Sequence, residues 1–295
     1  MKKILGLVAG LGLLAVTAGT GYAVPLMLDV SAAGAPAYGD ANTLTGIFNQ
    51  LGFDSQTSTI QYDTNGNGIL NVGDRFSDSG DLRVNGLIAP TIIDTEGLNQ
   101  FGGYEMTAQW TGLTGYVAEL DNADPTDTRL GLIYDGGEIN FYLDTALDST
   151  FANPAGSTPP AGAGGAGFAN GTLVATLSLL EGRGHTFIDF TGGDLASQGS
   201  VELSLQFTYM LDGFWLNALG VDLLDISPIN WHFMTTDMNI DTPTNVPYDG
   251  ALYIAYSNQN GSADLTVVPE PSTLLLLGGG LIGLAFVGRK RSRKA

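Results

Sequence analysis

The chain has no cysteine. Disulfide staples, thiolate metal sites and a cysteine nucleophile are excluded together, so the fold must be held by its core. Lysine is missing between Lys3 and Lys290, and the only basic residues from Val24 to Leu265 are Arg75, Arg83, Arg129 and Arg183. Against these four stand 29 acidic residues (the 30 of the chain less Glu270), a formal charge of −25 for that segment. A surface so poor in cations cannot neutralise phosphates, which excludes nucleic acid as a partner. It suits a solvated surface, or one that collects divalent cations. Helical periodicity sustained over three turns is also missing from this segment, although short helices are allowed near Thr43–Leu51 and Phe214–Leu224.

What is present is period-two alternation, the pattern of half-buried strands. In VELSLQFTYML, Val201, Leu203, Leu205, Phe207, Tyr209 and Leu211 fall on one face, and Leu173, Ala175, Leu177 and Leu179 do the same. RLGLIYDGGEINFYLD reads as a hairpin turning at Asp135-Gly136-Gly137, with Ile139, Phe141 and Leu143 inward. ALYIAYSNQNGSADLTVV reads as another, turning at Gln259-Asn260-Gly261. The expected fold is mostly β, a β-sandwich formed by residues 24–265. Within it, Ala152–Gly167 is a Gly/Pro/Ala-rich loop. Its Gly162, Gly164 and Gly167 fit a dinucleotide-binding spacing, but the strand–turn–helix context that spacing needs is absent.

Both ends of the chain differ from the middle. Lys2 and Lys3, the apolar run Ile4–Val16 and small residues that offer cleavage after Ala18 or after Ala23 have the form of a secretory signal peptide, expected to span residues 1–23. Residues 266–295 have three parts. Pro269 and Pro271 flank Glu270 and hold Val267–Pro271 extended. Thr273–Gly288 is an apolar run whose helix would reach about 24 Å, short of the roughly 30 Å hydrocarbon core and so a marginal permanent anchor. Arg289–Lys294, with five positive charges, would remain cytoplasmic.

This end resembles the PEP-CTERM sorting signal, with Pro269, Glu270 and Pro271 as its motif. The resemblance implies an exosortase-type processing enzyme as partner, passage through the inner membrane of a Gram-negative bacterium, and a final place at the cell surface or in the extracellular matrix. Proteins of this kind, including a flocculation-associated type, are linked to exopolysaccharide, biofilm and floc cohesion. The resemblance speaks to sorting and not to activity.

One stretch of the middle carries metal-ligand spacing. In DTNGNGILNVGD, Asp63, Asn65 and Asn67 stand at loop positions 1, 3 and 5, and Gly68 at the turn position 6. Ile69 would offer its carbonyl, Asn71 would act through water, and Asp74 would close the loop. The spacing resembles dockerin calcium loops, without the paired helices of that module. Calcium here would bind weakly, on the order of 10⁻⁴–10⁻³ M; Asn65-Gly66 and Asn67-Gly68 also suit a hairpin turn with no metal. Asp78 and Asp81, or the run Asp121, Asp124 and Asp127, are further acidic candidates.

Signals for catalysis are few. His185 and His232 are the only histidines. Neither lies in H-E-x-x-H, and no G-x-S-x-G occurs; Asp189 or Asp237 would have to partner them. The expectation is therefore a non-catalytic exported surface protein. A carbohydrate-binding module for exopolysaccharide is one alternative, in which Trp110, Trp215 and Trp231 would stack on sugar, although aromatics more often fill a β core. A secreted glycan hydrolase is the second, since paired carboxylates leave no trace in sequence.

Overall fold

A computed structural model describes residues 24–121, 127–151, 165–189, 196–226, 229–244 and 251–267. The signal-peptide segment, most of the 152–167 loop and everything after Val267, including the sorting motif and the apolar run, lie outside the described residues. Residues Ala23–Thr266 cluster as one unit.

That unit is a closed eight-stranded β-barrel, not the expected sandwich. Its wall runs β2 (Gln50–Tyr62), β3 (Arg75–Ile88), β4 (Glu105–Asp121), β5 (Asp127–Gly136) with β6 (Glu138–Asp144), β7 (Thr172–Asp189), β8 (Ala196–Met210), β10 (Ile229–Thr244) and β11 (Ala251–Val267). Each wall strand pairs with its neighbour in the chain, and β11 returns to pair antiparallel with β2, from Tyr62↔Ala251 to Gln50↔Asp264. Alternation is identical in a sandwich and in a barrel; what separates them is this one pairing of first strand with last. Register shifts at Gly52/Phe53, Asp78/Ser79, Val117/Glu119 and Leu179/Glu181 add the local twist that lets strands this long curl shut.

Neither expected internal hairpin exists. β5 and β6 lie end to end as one interrupted wall strand: β4 pairs Thr114 with Gly136 and Gln109 with Asn140, all antiparallel. Gly137, at φ 124°, provides a kink rather than a reversal, opposite Gly112 at φ 82° in β4. β11 likewise runs unbroken through Gln259-Asn260-Gly261, which pair with Ser55, Asp54 and Phe53. Gly261 is there because the Phe53 ring lies against it, leaving no room for a side chain.

The interior is mostly apolar, with a few polar side chains, among them Thr57, Asp78, Ser257 and Gln259, and the wall is mostly polar. On β8, Val201, Leu203 and Leu205 are buried, whereas Glu202 and Thr208 are exposed; Tyr209, expected inside, is exposed. Ile139, Phe141 and Leu143 face inward as read. Phe53 stacks on Phe233 at 4.4 Å and Phe141 on Trp231 at 4.9 Å. Trp110 lies over Gly80, its direct partner across β3 and β4, so tightly that a methyl group at 80 would overlap the indole.

One end is capped. β1 (Leu26–Leu28) and β9 (Trp215–Asn217) form a separate antiparallel pair, and Trp215 meets Trp231 edge-on at 5.5 Å. Leu26, Leu28, Val30, Phe48, Tyr104 and Phe214 are fully buried there and continuous with the barrel core. The helical segments in the described residues are the 3-10 turns Val30–Ala33 and Leu223–Asp225, so the short helices allowed by the sequence reduce to a single turn at Leu223. Among the described residues no helix is long and apolar enough to cross a membrane.

Candidate functional site

The loop from Asp63 to Asp74 joins β2 to β3 at the end of the barrel opposite the cap, and hydrogen bonds among its own residues organise it. Asp63 accepts from the amides of Gly66 (2.8 Å), Asn67 (3.2 Å) and Gly68 (2.6 Å). These bonds, that from Gly68 above all, hold its carboxyl below the usual carboxylate range. Asn65 accepts from Asn67 N, and Asn67 from Ile69 N; the Asn71 amide reaches the Ile69 carbonyl at 2.6 Å. Asp74, buried, accepts from Thr64 N and Asn71 N and so pins the two ends together. Gly66 and Gly68 adopt φ 72° and 76°, a left-handed conformation that favours glycine. The loop is thus organised by Asx turns, with each carboxylate already engaged by backbone amides.

The other acidic candidates are used elsewhere. Asp78 points into the barrel, where its oxygens accept from Trp110 Nε1 (2.9 Å) and Thr59 Oγ1 (3.1 Å), with the Tyr134 hydroxyl alongside. Burial pushes its carboxyl up to about 6. The adjoining cavity, about 20 Å³, has room for one water and no substrate, so this perturbed group is structural. Asp81 lies on the outer wall beneath Gly165, accepting from Gly165 N and Gln109 Nε2. Asp124 lies outside the described residues.

The histidines are not brought together. His185 is exposed on β7, beside an open groove of about 670 Å³ that also holds Glu119, Arg129 and Phe187. His232, on β10, contacts Glu202 at 2.8 Å and Asp264 at 3.4 Å on the outer wall. The three tryptophans are all core residues: Trp110 donates to Asp78, Trp215 to the Val174 carbonyl, and Trp231 is 1% exposed. None offers a sugar-stacking face.

Two carboxylate clusters were invisible in the sequence because their members come from separate segments. In each, one carboxylate oxygen per residue lies within 4.8 Å of the others. In Glu105, Asp144 and Asp148, the buried Glu105 is fully bonded, accepting from Asp148 N, Ser149 N and Ser149 Oγ. In Asp40, Asp94 and Glu96, the buried Glu96 accepts from Tyr38 N through Oε2, while Oε1 has no partner. Burial, then the neighbouring charges of Asp94 and Asp40, push its carboxyl up.

Comparison with known proteins adds one finding about sorting. Residues 267–291 match the family model of the PEP-CTERM protein-sorting motif. The chain therefore carries the sorting signal of exosortase substrates and is an exported protein whose processing partner is exosortase. No curated protein matches the chain. Among solved structures, Ail, the attachment invasion locus protein of Yersinia pestis, is similar over 74% of this chain and 98% of its own, at 7% identity and a TM-score of 0.14. A superposition this loose supports no conclusion about fold or function.

Proposed function

We propose that this is a non-catalytic protein of the bacterial surface or extracellular matrix that contributes to biofilm or floc cohesion. The observation carrying this reading is the PEP-CTERM signal at 267–291, which commits the chain to export and sorting. The barrel suits the role physically. Its interior is filled by side chains, as an eight-stranded closed sheet allows, and its polar outer wall has few cations. Such a wall associates with acidic polysaccharide through shared divalent ions rather than through direct ion pairs.

Deletion of the gene tests the proposal. Aggregation or biofilm cohesion should weaken while growth rate is unchanged, and complementation with the full chain should restore it. Normal aggregates in the deletion strain would refute the matrix role. Reducing-sugar release by the purified barrel, lost on a single Asp or Glu substitution, would replace it with the hydrolase alternative.

A further inference from the structure

Glu96 is the one carboxylate of the two clusters that the fold buries without satisfying. It is 0% exposed, and no donor of the protein reaches its Oε1; its carboxyl instead meets that of Asp94. Beside it the Tyr104 hydroxyl, also 0% exposed, is equally unpartnered, and the charges of Glu96 and Asp94 both act on it. A buried oxygen left unpaired carries a penalty of about 1–3 kcal/mol, more when it is charged. A ligand that takes oxygen donors would satisfy both groups at once.

No protein cation fills that need. Lysine is absent from the barrel, Arg75 pairs with Asp135, Arg83 lies over Phe151, Arg129 lies over Phe187, and Arg183 is exposed on β7 opposite Glu202. What the fold supplies is a carboxylate oxygen from each of Asp40, Asp94 and Glu96 within 4.8 Å of one another. Calcium binds oxygen at 2.3–2.6 Å, so oxygens sharing one ion lie up to about 5 Å apart, whereas magnesium draws its ligands closer. The residues also come from two segments of the cap. Tyr38 N donates to Glu96, Tyr38 Oη to Gln100, and Glu96 N to Asp94, so an ion here would join residues 38–42 to the 94–104 loop.

We propose that Asp40, Asp94 and Glu96 form a calcium site that fastens the cap of the barrel. The site is separate from the Asp63–Asp74 loop, whose carboxylates are already bonded, and from the satisfied Glu105 cluster. Its affinity falls in the range of extracellular modules, on the order of 10⁻⁴–10⁻³ M.

The experiment is a thermal melt and a calorimetric titration of the purified chain in CaCl₂ against MgCl₂ of equal ionic strength. At ten times the dissociation constant, calcium should raise the melting temperature by about 2–4 °C more than magnesium does. Glu96→Gln and Asp94→Asn should abolish the difference, while Asp63→Ala with Asp74→Ala should keep it. Asp40→Asn, at an exposed position that leaves the core intact, should weaken calcium about tenfold even if the Glu96 variant fails to fold. Terbium luminescence excited through tyrosine gives a readout independent of stability: emission should develop on the wild type and be displaced by calcium. Equal effects of the two ions, or a calcium-specific shift that survives Asp40→Asn and Asp94→Asn undiminished, would overturn the proposal. So would a shift lost only with the Asp63 and Asp74 substitutions.

Discussion

Thr57 and Ser257, 200 residues apart in sequence, stand with their hydroxyl oxygens 2.5 Å apart inside the barrel. They are direct partners across β2 and β11, and Gln259 donates to both. This contact belongs to the pairing that closes the sheet. In a double-mutant cycle of Thr57→Ala and Ser257→Ala, followed by urea unfolding, the two should couple by about 0.5–1.5 kcal/mol. Two additive substitutions would mean that β2 and β11 are not neighbours and the barrel is open.

Gly80 and Trp110 make the tightest glycine–aromatic contact in the wall. The indole occupies the volume of a side chain at 80 while its Nε1 is held by Asp78. Gly80→Ala should therefore destabilise by about 1–3 kcal/mol through overpacking, read as a lower urea midpoint at unchanged m. A neutral substitution would show that the indole can move aside.

How much of this could be read from sequence depends on how local each feature is. The strands could be, because alternation such as Val201–Leu203–Leu205 is written in adjacent residues. The sorting signal could be, because Pro269-Glu270-Pro271, the apolar run and the basic end are contiguous. Closure could not, since it depends on residues such as Thr57 and Ser257 meeting across the whole chain. The two false hairpins share one cause: in sequence, Gly137 and Gly261 look like turn formers. One is a kink opposite Gly112, and the other is clearance for Phe53. The Asp40–Asp94–Glu96 cluster was hidden for the same reason as closure, its members being brought together only by the cap.

Asp78 makes stability depend on pH. Burial holds its folded-state value at about 6, above the ordinary carboxylate value of 3.8 that it regains on unfolding. The folded state therefore keeps a proton that the unfolded state has released. The stability this proton contributes is fully present below about pH 4 and is lost as pH rises through 6. A rise of about two units corresponds to about 3 kcal/mol. Asp78→Asn should lack this dependence, so its stability relative to wild type should rise between pH 4 and pH 7, checked by urea unfolding at each pH. A constant difference across that range would mean Asp78 is ionised throughout.

Asp74 closes its loop by accepting from Thr64 N and Asn71 N while buried. Asp74→Ala strands both amides and should cost about 1–3 kcal/mol in calcium-free buffer. Asp74→Asn, which retains an acceptor oxygen, should cost less. Hydrogen exchange should show faster exchange at Thr64 and Asn71 in the alanine variant, with the cap unaffected.

Sorting is the most direct test of what this chain is for. The family match spans 267–291, and Pro269-Glu270-Pro271 is the expected processing site. The measurement is the intact mass of the protein recovered from the cell surface. The expected result is a chain that ends at or near Pro271 and lacks both the apolar run and Arg289–Lys294. Replacing Pro269, Glu270 and Pro271 together with alanine should leave the uncut chain in the inner membrane. A surface form that still carries its basic C-terminus would contradict processing by exosortase and the function built on it.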